Sequence, residues 1–218
     1  MSGPPAARPR RTVVVTGTAT EVGKTWCTAR LLEHLCGRGV AVAARKPVQS
    51  FEPGEGPTDA EVLAAASGER PSEVCPEHRW YGVPVAPPMA TELLGAPPVT
   101  SEELLGELAW PDGVEVGLVE TVGGIRSPLS HDDDSAGFAR RLRPDLVLLV
   151  ADAGLGTINS VRLSVAAADG LPLLVHLNRF DPTDDLHRRN AEWLEHRDHT
   201  PVTTTITELA TAVLADRG

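Results

Sequence analysis

An α/β fold with a mainly parallel sheet, covered by helices on both faces, is what the sequence predicts, and two observations carry that prediction. Short, near-continuous apolar runs alternate with stretches at helical spacing from the first third of the chain to its end. Strands that are apolar on both sides need cover on both sides, which is the parallel-sheet pattern. The first run also passes through a Gly/Thr turn directly into a helix, the strand–turn–helix unit from which such folds are built. With 218 residues, 41% of them hydrophobic, the chain suits one domain with a buried core. Met1–Arg11, rich in Pro and Arg, is read as a mobile tail, and residues 12–218 as a single domain.

The elements follow in order. Thr12–Thr16 (TVVVT) is a β-branched strand. Lys24–Cys36 is a helix, with Cys27, Leu31, Leu32, Leu35 and Cys36 on one stripe and Gly37 and Gly39 as its stop. Val40–Ala44 reads as the second strand, Gln49–Thr58 as a loop broken by Gly and Pro, and Asp59–Ala66 as a helix. The Pro-rich stretch Pro71–Pro98 reads as irregular surface chain, and Ser101–Leu108 as a short helix capped by Thr100 or Ser101. Then come strands at Val116–Val119, Asp145–Ala151 and Leu171–Leu177, with helices at Ser135–Leu142 and Asn159–Ala168 between them. A strand at Pro201–Ile206 and a helix at Glu208–Ala215 close the chain, and Arg188–Arg189 read as a solvated helix face.

Composition excludes several functions. The formal charge of −10 repels nucleic-acid phosphates, so no nucleic-acid partner is expected. No apolar run approaches the roughly 20 residues of a membrane span, and Met1–Arg11 lacks the apolar centre of a signal peptide. Cys27, Cys36 and Cys75 are odd in number and form no CxxC pair, which fits reduced thiols and a cytoplasmic location. The run His131-Asp132-Asp133-Asp134 is read as a solvated acidic loop rather than a cation site.

Chemistry concentrates in Gly17-Thr18-Ala19-Thr20-Glu21-Val22-Gly23-Lys24-Thr25, between the first strand and the first helix. Small residues let a backbone curl so that several N–H groups face one anion, and the helix N-terminus adds positive potential. Lys24 would reach the terminal phosphates of a nucleotide and the Thr25 hydroxyl would ligate magnesium. The usual spacing places a glycine at position 18, which is Thr here; the glycine stands at 17, so this is a variant phosphate loop.

That variant, followed by Lys46-Pro47-Val48, Asp59-Ala60, Pro84-Val85-Ala86-Pro87, Val119-Glu120, Gly123-Gly124, Pro128-Leu129, Gly156-Thr157-Ile158-Asn159 and Asn178, resembles the dethiobiotin synthetase family from about Val13 to Asn178. The resemblance implies a three-layer P-loop NTPase-like fold, a homodimer, and an ATP- and magnesium-dependent ligase. The implied reaction joins carbon dioxide to 7,8-diaminopelargonate and closes a cyclic urea through a phosphorylated carbamate. It implies nucleotide contacts from Thr20, Glu21, Val22, Gly23, Lys24, Thr25 and Trp26, with Glu120 and with Asn178 at the base. Magnesium would be held by Thr25, Asp59 and Glu120. Lys46, Lys24 and Thr20 would be catalytic, and Ser50, Gly156, Thr157 and Asn159 would hold the substrate, its tail carboxylate lying across the dimer interface. Asp59 and Asn159 also suit helix caps, a role compatible with these.

Three positions depart from the family pattern: Thr121 where a glycine is usual, Phe51 after the loop serine, and Pro88 where a histidine is often found. They leave open a related amide ligase acting on another substrate. A partitioning-type ATPase switch is disfavoured, because Gly17, Thr18 and Ala19 occupy the place of its signature lysine.

Overall fold

The computed structural model describes residues 8–215. Six strands form one all-parallel sheet in the order β2-β5-β1-β6-β7-β8: β1 Arg11–Gly17, β2 Val42–Arg45, β5 Val116–Gly124, β6 Leu146–Asp152, β7 Leu173–Asn178 and β8 Val202–Thr203. The predicted class holds. β1, the strand that feeds the phosphate loop, lies between β5 and β6, so its end is flanked by two further strand ends.

On one face α1 (Lys24–Gly37), α2 (Asp59–Ser67) and α9 (Ile206–Leu214) cover Val13, Val15, Leu118 and Leu148. On the other, α4 (Pro87–Leu94), α5 (Ser101–Gly106) and α6 (Ser135–Leu142) cover Val14, Val119 and Val147. The alternation of Val13, Val14 and Val15 between the two cores is the period-2 rule acting on a strand buried on both faces. Toward β7, α7 (Thr157–Ala167) and α8 (Asp185–His196) pack on Leu149, Val175 and Leu177.

Several expectations are corrected. The Pro-rich stretch is not irregular: it holds α3 (Pro71–Val74), a 3₁₀ turn at Glu77–Arg79, β4 (Trp80–Tyr81) and α4. Proline begins α3 and α4, where its missing N–H costs nothing. The loop after β2 contains β3 (Gln49–Ser50), which pairs in parallel with β4. Pro201–Ile206 is mostly not strand, because Thr205 instead caps α9 through a capping box with Glu208. Asp59 is not the cap of α2; Thr58 is, and Glu61 closes the box, which releases the Asp59 side chain for other partners. Asn159 is likewise inside α7, behind Gly156 at φ 93°. Residues 1–7 of the expected tail lie outside the described residues, whereas Pro9 is buried and Arg11 is already in β1. Gly117 makes that packing possible, since a Cβ there would meet Pro9 and Trp110 at 2.6 Å.

Candidate active site

The loop between β1 and α1 curls because two residues take left-handed backbone conformations, Glu21 at φ 62° and Gly23 at φ 90°. Gly23 also has no room for a side chain: a Cβ would stand 2.1 Å from Asn178 Nδ2. Asn178 ends β7 and its carboxamide donates to the Val22 carbonyl at 2.9 Å, so the residue expected at the base also fastens the loop. Arg179 donates to the Glu21 carbonyl at 2.9 Å and to Asp152 at 2.8 Å, pinning the loop from outside. Lys24 reaches back to the Ala19 carbonyl at 3.4 Å.

Five charged or hydroxyl side chains, from α1, α2, β5 and the end of β2, meet beside it. The Thr25 hydroxyl lies 2.8 Å from Asp59 Oδ1 and 2.9 Å from Glu120 Oε1, with one proton to share between them. Thr28, one turn along α1, donates to Glu120 Oε2 at 2.8 Å. Lys46, only 1% exposed, lies at the end of β2 and bridges Asp59 Oδ2 at 2.7 Å and Glu120 Oε1 at 2.9 Å. Its third contact is the Thr121 carbonyl at 3.4 Å.

The electrostatics follow from burial and pairing. Burial favours the neutral amine of Lys46, but Asp59 and Glu120 outweigh it and hold the pKa above that of an ordinary lysine. Lys24 is pushed the other way, by burial first and then by the Lys46 charge. Asp59 is held below the usual carboxylate range, chiefly by Lys46. Lys24 and Lys46 are the only lysines in the whole chain; the other 18 of its 20 basic residues are arginine. A compact ammonium on a flexible stem is thus found only here, where a cation must pivot between partners.

The oxygens of Thr25, Asp59 and Glu120 form a hard donor set drawn from α1, α2 and β5, which is the set magnesium takes alongside phosphate and water. These residues fit the ion, and Lys46 is the cation that balances the two carboxylates. Among the described residues no cluster of three or more His, Cys, Asp or Glu side chains suits a metal. The His131–Asp134 run is spent on structure: Asp132 accepts from Ser101, Asp133 from Arg141, and Asp134 caps α6.

A cavity of about 340 Å³ joins these groups, lined among others by Thr20, Lys24, Thr25, Lys46, Ser50 and Asp59. Glu21, Gly23 and Trp26 line it too. Ser50 brings a buried hydroxyl with no partner among the described residues. A second cavity of about 580 Å³ lies beyond Thr20, between Gly124–Pro128 and the α7 residues Ser160, Leu163 and Ser164. Gly156, Thr157 and Asn159 line neither of these two cavities, so the chain does not bring them together with the phosphate-loop residues there. Thr157 is nonetheless buried with an unpartnered hydroxyl at the start of α7.

Sequence reasoning missed Thr28 and Arg179. The spacing Lys24–Thr28 places both on one face of α1, a signal that was available. Thr121, the departure from glycine, turns its side chain to β1 and donates to the Val15 carbonyl at 3.3 Å.

A family model described as an AAA domain matches residues 11–210. The protein named ATP-dependent dethiobiotin synthetase BioD from Anaeromyxobacter sp. (strain Fw109-5) is 40% identical over 181 residues, covering 80% of this chain and 79% of that protein. The protein of the same name from Aquifex aeolicus (strain VF5) is 36% identical over 189 residues, covering 84% and 83%. Among solved structures, the signal recognition particle receptor FtsY from Elizabethkingia anophelis aligns with a TM-score of 0.52 at 14% identity, over 96% of this chain and 67% of that one. Chloroplast FtsY from Physcomitrella patens aligns equally, at 0.52 and 15%, over 96% and 66%. At that identity the likeness concerns the fold alone.

Proposed function

Since this chain belongs to the ATP-dependent dethiobiotin synthetase family, we propose that it closes the cyclic urea of dethiobiotin from 7,8-diaminopelargonate, carbon dioxide and ATP. The observation that carries the reading is that both lysines line one cavity beneath the phosphate loop with Thr25 and Asp59, while the buried Glu120 binds Lys46 and Thr25 from behind.

In this reading one substrate amine adds to carbon dioxide and loses a proton, giving a carbamate. A carbamate oxygen attacks the γ-phosphorus, the bond to ADP breaks, and a carbamic–phosphoric anhydride results. The second amine then attacks the carbonyl carbon, phosphate leaves, and the ring closes. Both carbamate and triphosphate are anions, so their approach needs fixed positive charge, which Lys24 and Lys46 supply. Magnesium, when bound, neutralises phosphate charge; Thr25, Asp59 and Glu120 would hold it. Backbone N–H groups of Glu21–Trp26 orient the phosphates, and Asn178 meets the base. Thr20 and Ser50 face the diamine. Because both reacting groups sit on one held molecule, ring closure is intramolecular, where effective molarities reach about 10⁵ M or more.

The substrate's tail carboxylate is assigned to Gly156, Thr157 and Asn159 of a second protomer in a homodimer. The exposure of Leu155 (91%) and Leu163 (66%) beside that helix start supports such an interface. No helix of the described residues is long and apolar enough to cross a membrane, in keeping with a cytoplasmic enzyme.

Purified protein supplied with the diamine, bicarbonate, ATP and magnesium is expected to yield the urea by mass spectrometry, and Lys24→Ala to abolish it. Absence of product with every common triphosphate would overturn the reading. Light scattering that found only monomer would remove the shared tail site.

A further inference from the structure

The ladder between β1 and β5 breaks at the site. Val15 pairs with Glu120, but Gly17 pairs with Gly124, so Thr121, Val122 and Gly123 stand opposite the single residue Thr16. Extra residues in one strand must leave the plane of the sheet. Val122 and Gly123 do so and line the cavity. The bulge is fastened at Thr121 and Val122 and at Gly124, where pairing resumes. Ser135 reaches the Val122 carbonyl at 3.4 Å, and Ser127 accepts from the Gly124 N–H at 2.8 Å. Thr121 is 0% exposed, and its hydroxyl donates to the Val15 carbonyl at 3.3 Å.

The Thr121 carbonyl faces the other way, 3.4 Å from Lys46 Nζ. Asp59 and Glu120, the other two partners of that ammonium, are the carboxylates assigned to magnesium. The Thr121 carbonyl is therefore the neutral partner of Lys46, with no competing claim on it. A glycine at this position would keep the carbonyl and lose the hydroxyl that fixes it.

We propose that Thr121 is a positioning residue: its hydroxyl, bonded to the Val15 carbonyl, fixes the β5 bulge and so aims the carbonyl that holds Lys46. The proposal rests on the reading that Lys46 acts at the reacting end of the substrate. Thr121→Val and Thr121→Ala remove the hydroxyl, and Thr121→Ser keeps it. With only two lysines, protein labelled with [¹⁵N]lysine gives two side-chain ammonium resonances, assigned by Lys24→Arg. The Lys46 resonance is expected to be sharp in the parent and in Thr121→Ser, and to shift or broaden in Thr121→Val and Thr121→Ala. The kcat for urea formation is expected to fall about tenfold in those two variants and to recover in Thr121→Ser. Calorimetric Kd for nucleotide stays unchanged. An unmoved Lys46 resonance overturns the proposal, as does an undiminished kcat or a nucleotide affinity that falls in step with kcat. If the parent protein makes no urea, the reaction reading fails, and the resonance alone decides whether Thr121 positions Lys46. Should Thr121→Val not fold, Thr121→Ala carries the comparison.

Discussion

At the carboxyl end of the sheet, Lys46, Asp59 and Glu120 share contacts of 2.7 and 2.9 Å, with Glu120 fully buried. At the amino end, Arg8 faces Asp145 across 3.9 Å and Arg10 faces Glu115 across 3.7 Å, all four side chains largely in solvent. Both ends carry a cavity, of about 340 Å³ around Lys46 and about 410 Å³ around Arg10, Glu115 and Asp145. Cavity and charge together therefore do not distinguish them; desolvation does. Exposed pairs contribute about 0–1 kcal/mol, whereas breaking a buried pair costs about 3–5 kcal/mol because a charge is left stranded. The protein holds one other such pair, Arg45–Glu69 at 2.6 Å, but only the Lys46 network adjoins the phosphate-loop cavity among the described residues.

The sharpest attempt to break this contrast is Lys46→Met. Urea formation is expected to fall by a factor on the order of 10²–10³. Glu120 loses its buried counter-charge, so denaturant titration is expected to show a loss of about 3 kcal/mol. An unchanged unfolding midpoint would place the Lys46 network with the surface pairs. Burial that outweighs an opposite charge is tested by His176 on β7, whose Nδ1 lies 3.0 Å from Thr203 Oγ1 and whose pKa is lowered to about 4 by burial against the raising influence of Glu208. The unfolded chain takes up a proton near pH 6.5 that the folded state refuses until about pH 4. Stability is thus full above about pH 6.5 and falls as the pH drops, by on the order of 3 kcal/mol at pH 4. Urea titrations across that range should show this slope beyond that of His176→Gln; parallel curves would remove the effect.

A smaller effect separates binding from stability at the start of α7. Thr157→Val is expected to raise KM for the diamine about tenfold, as loss of one hydrogen bond to a charged group does, while leaving Tm level or higher because the removed hydroxyl has no partner among the described residues. A lowered Tm with unchanged KM would make Thr157 structural. Smallest of all, Glu115→Ala at the amino end is expected to change stability by less than about 0.5 kcal/mol and to leave turnover untouched. A larger loss there would erase the distinction between the two ends.

Local chemistry was the legible part of the sequence. The β-branched run, the curled loop and the helix stripe each carry their own signal, and β1 and α1 match it closely. Lys46 was legible as the residue after a strand at the carboxyl edge, whereas Glu120, expected to end its strand, is followed by four more residues of β5. What pairs with what was not legible. That Thr58 rather than Asp59 caps α2 depends on Glu61 closing the box, and that choice frees Asp59 for Lys46. The Pro-rich helices were hidden because proline both breaks and begins helices, and only the packing of Ala90 and Tyr81 on Leu129 and Phe138 decides between them. The β5 bulge was invisible for a similar reason: a register shift is a property of two strands, and no single strand announces it. Thr121 is legible only as a departure from a usual glycine, and its bond to the Val15 carbonyl is not.

The confinement of both ε-amines to one cleft has a consequence for anything that modifies lysine. Lys24 is 7% and Lys46 1% exposed, so the outer surface offers no side-chain amine to acetylating or ubiquitin-type conjugating enzymes. Amine-coupled dyes and sensor surfaces will take hold of this protein through its N-terminus, with the cleft left unlabelled. An acyl electrophile small enough to enter meets Lys24 as the reactive amine, because burial lowers its pKa, whereas Asp59 and Glu120 hold Lys46 as the unreactive ammonium.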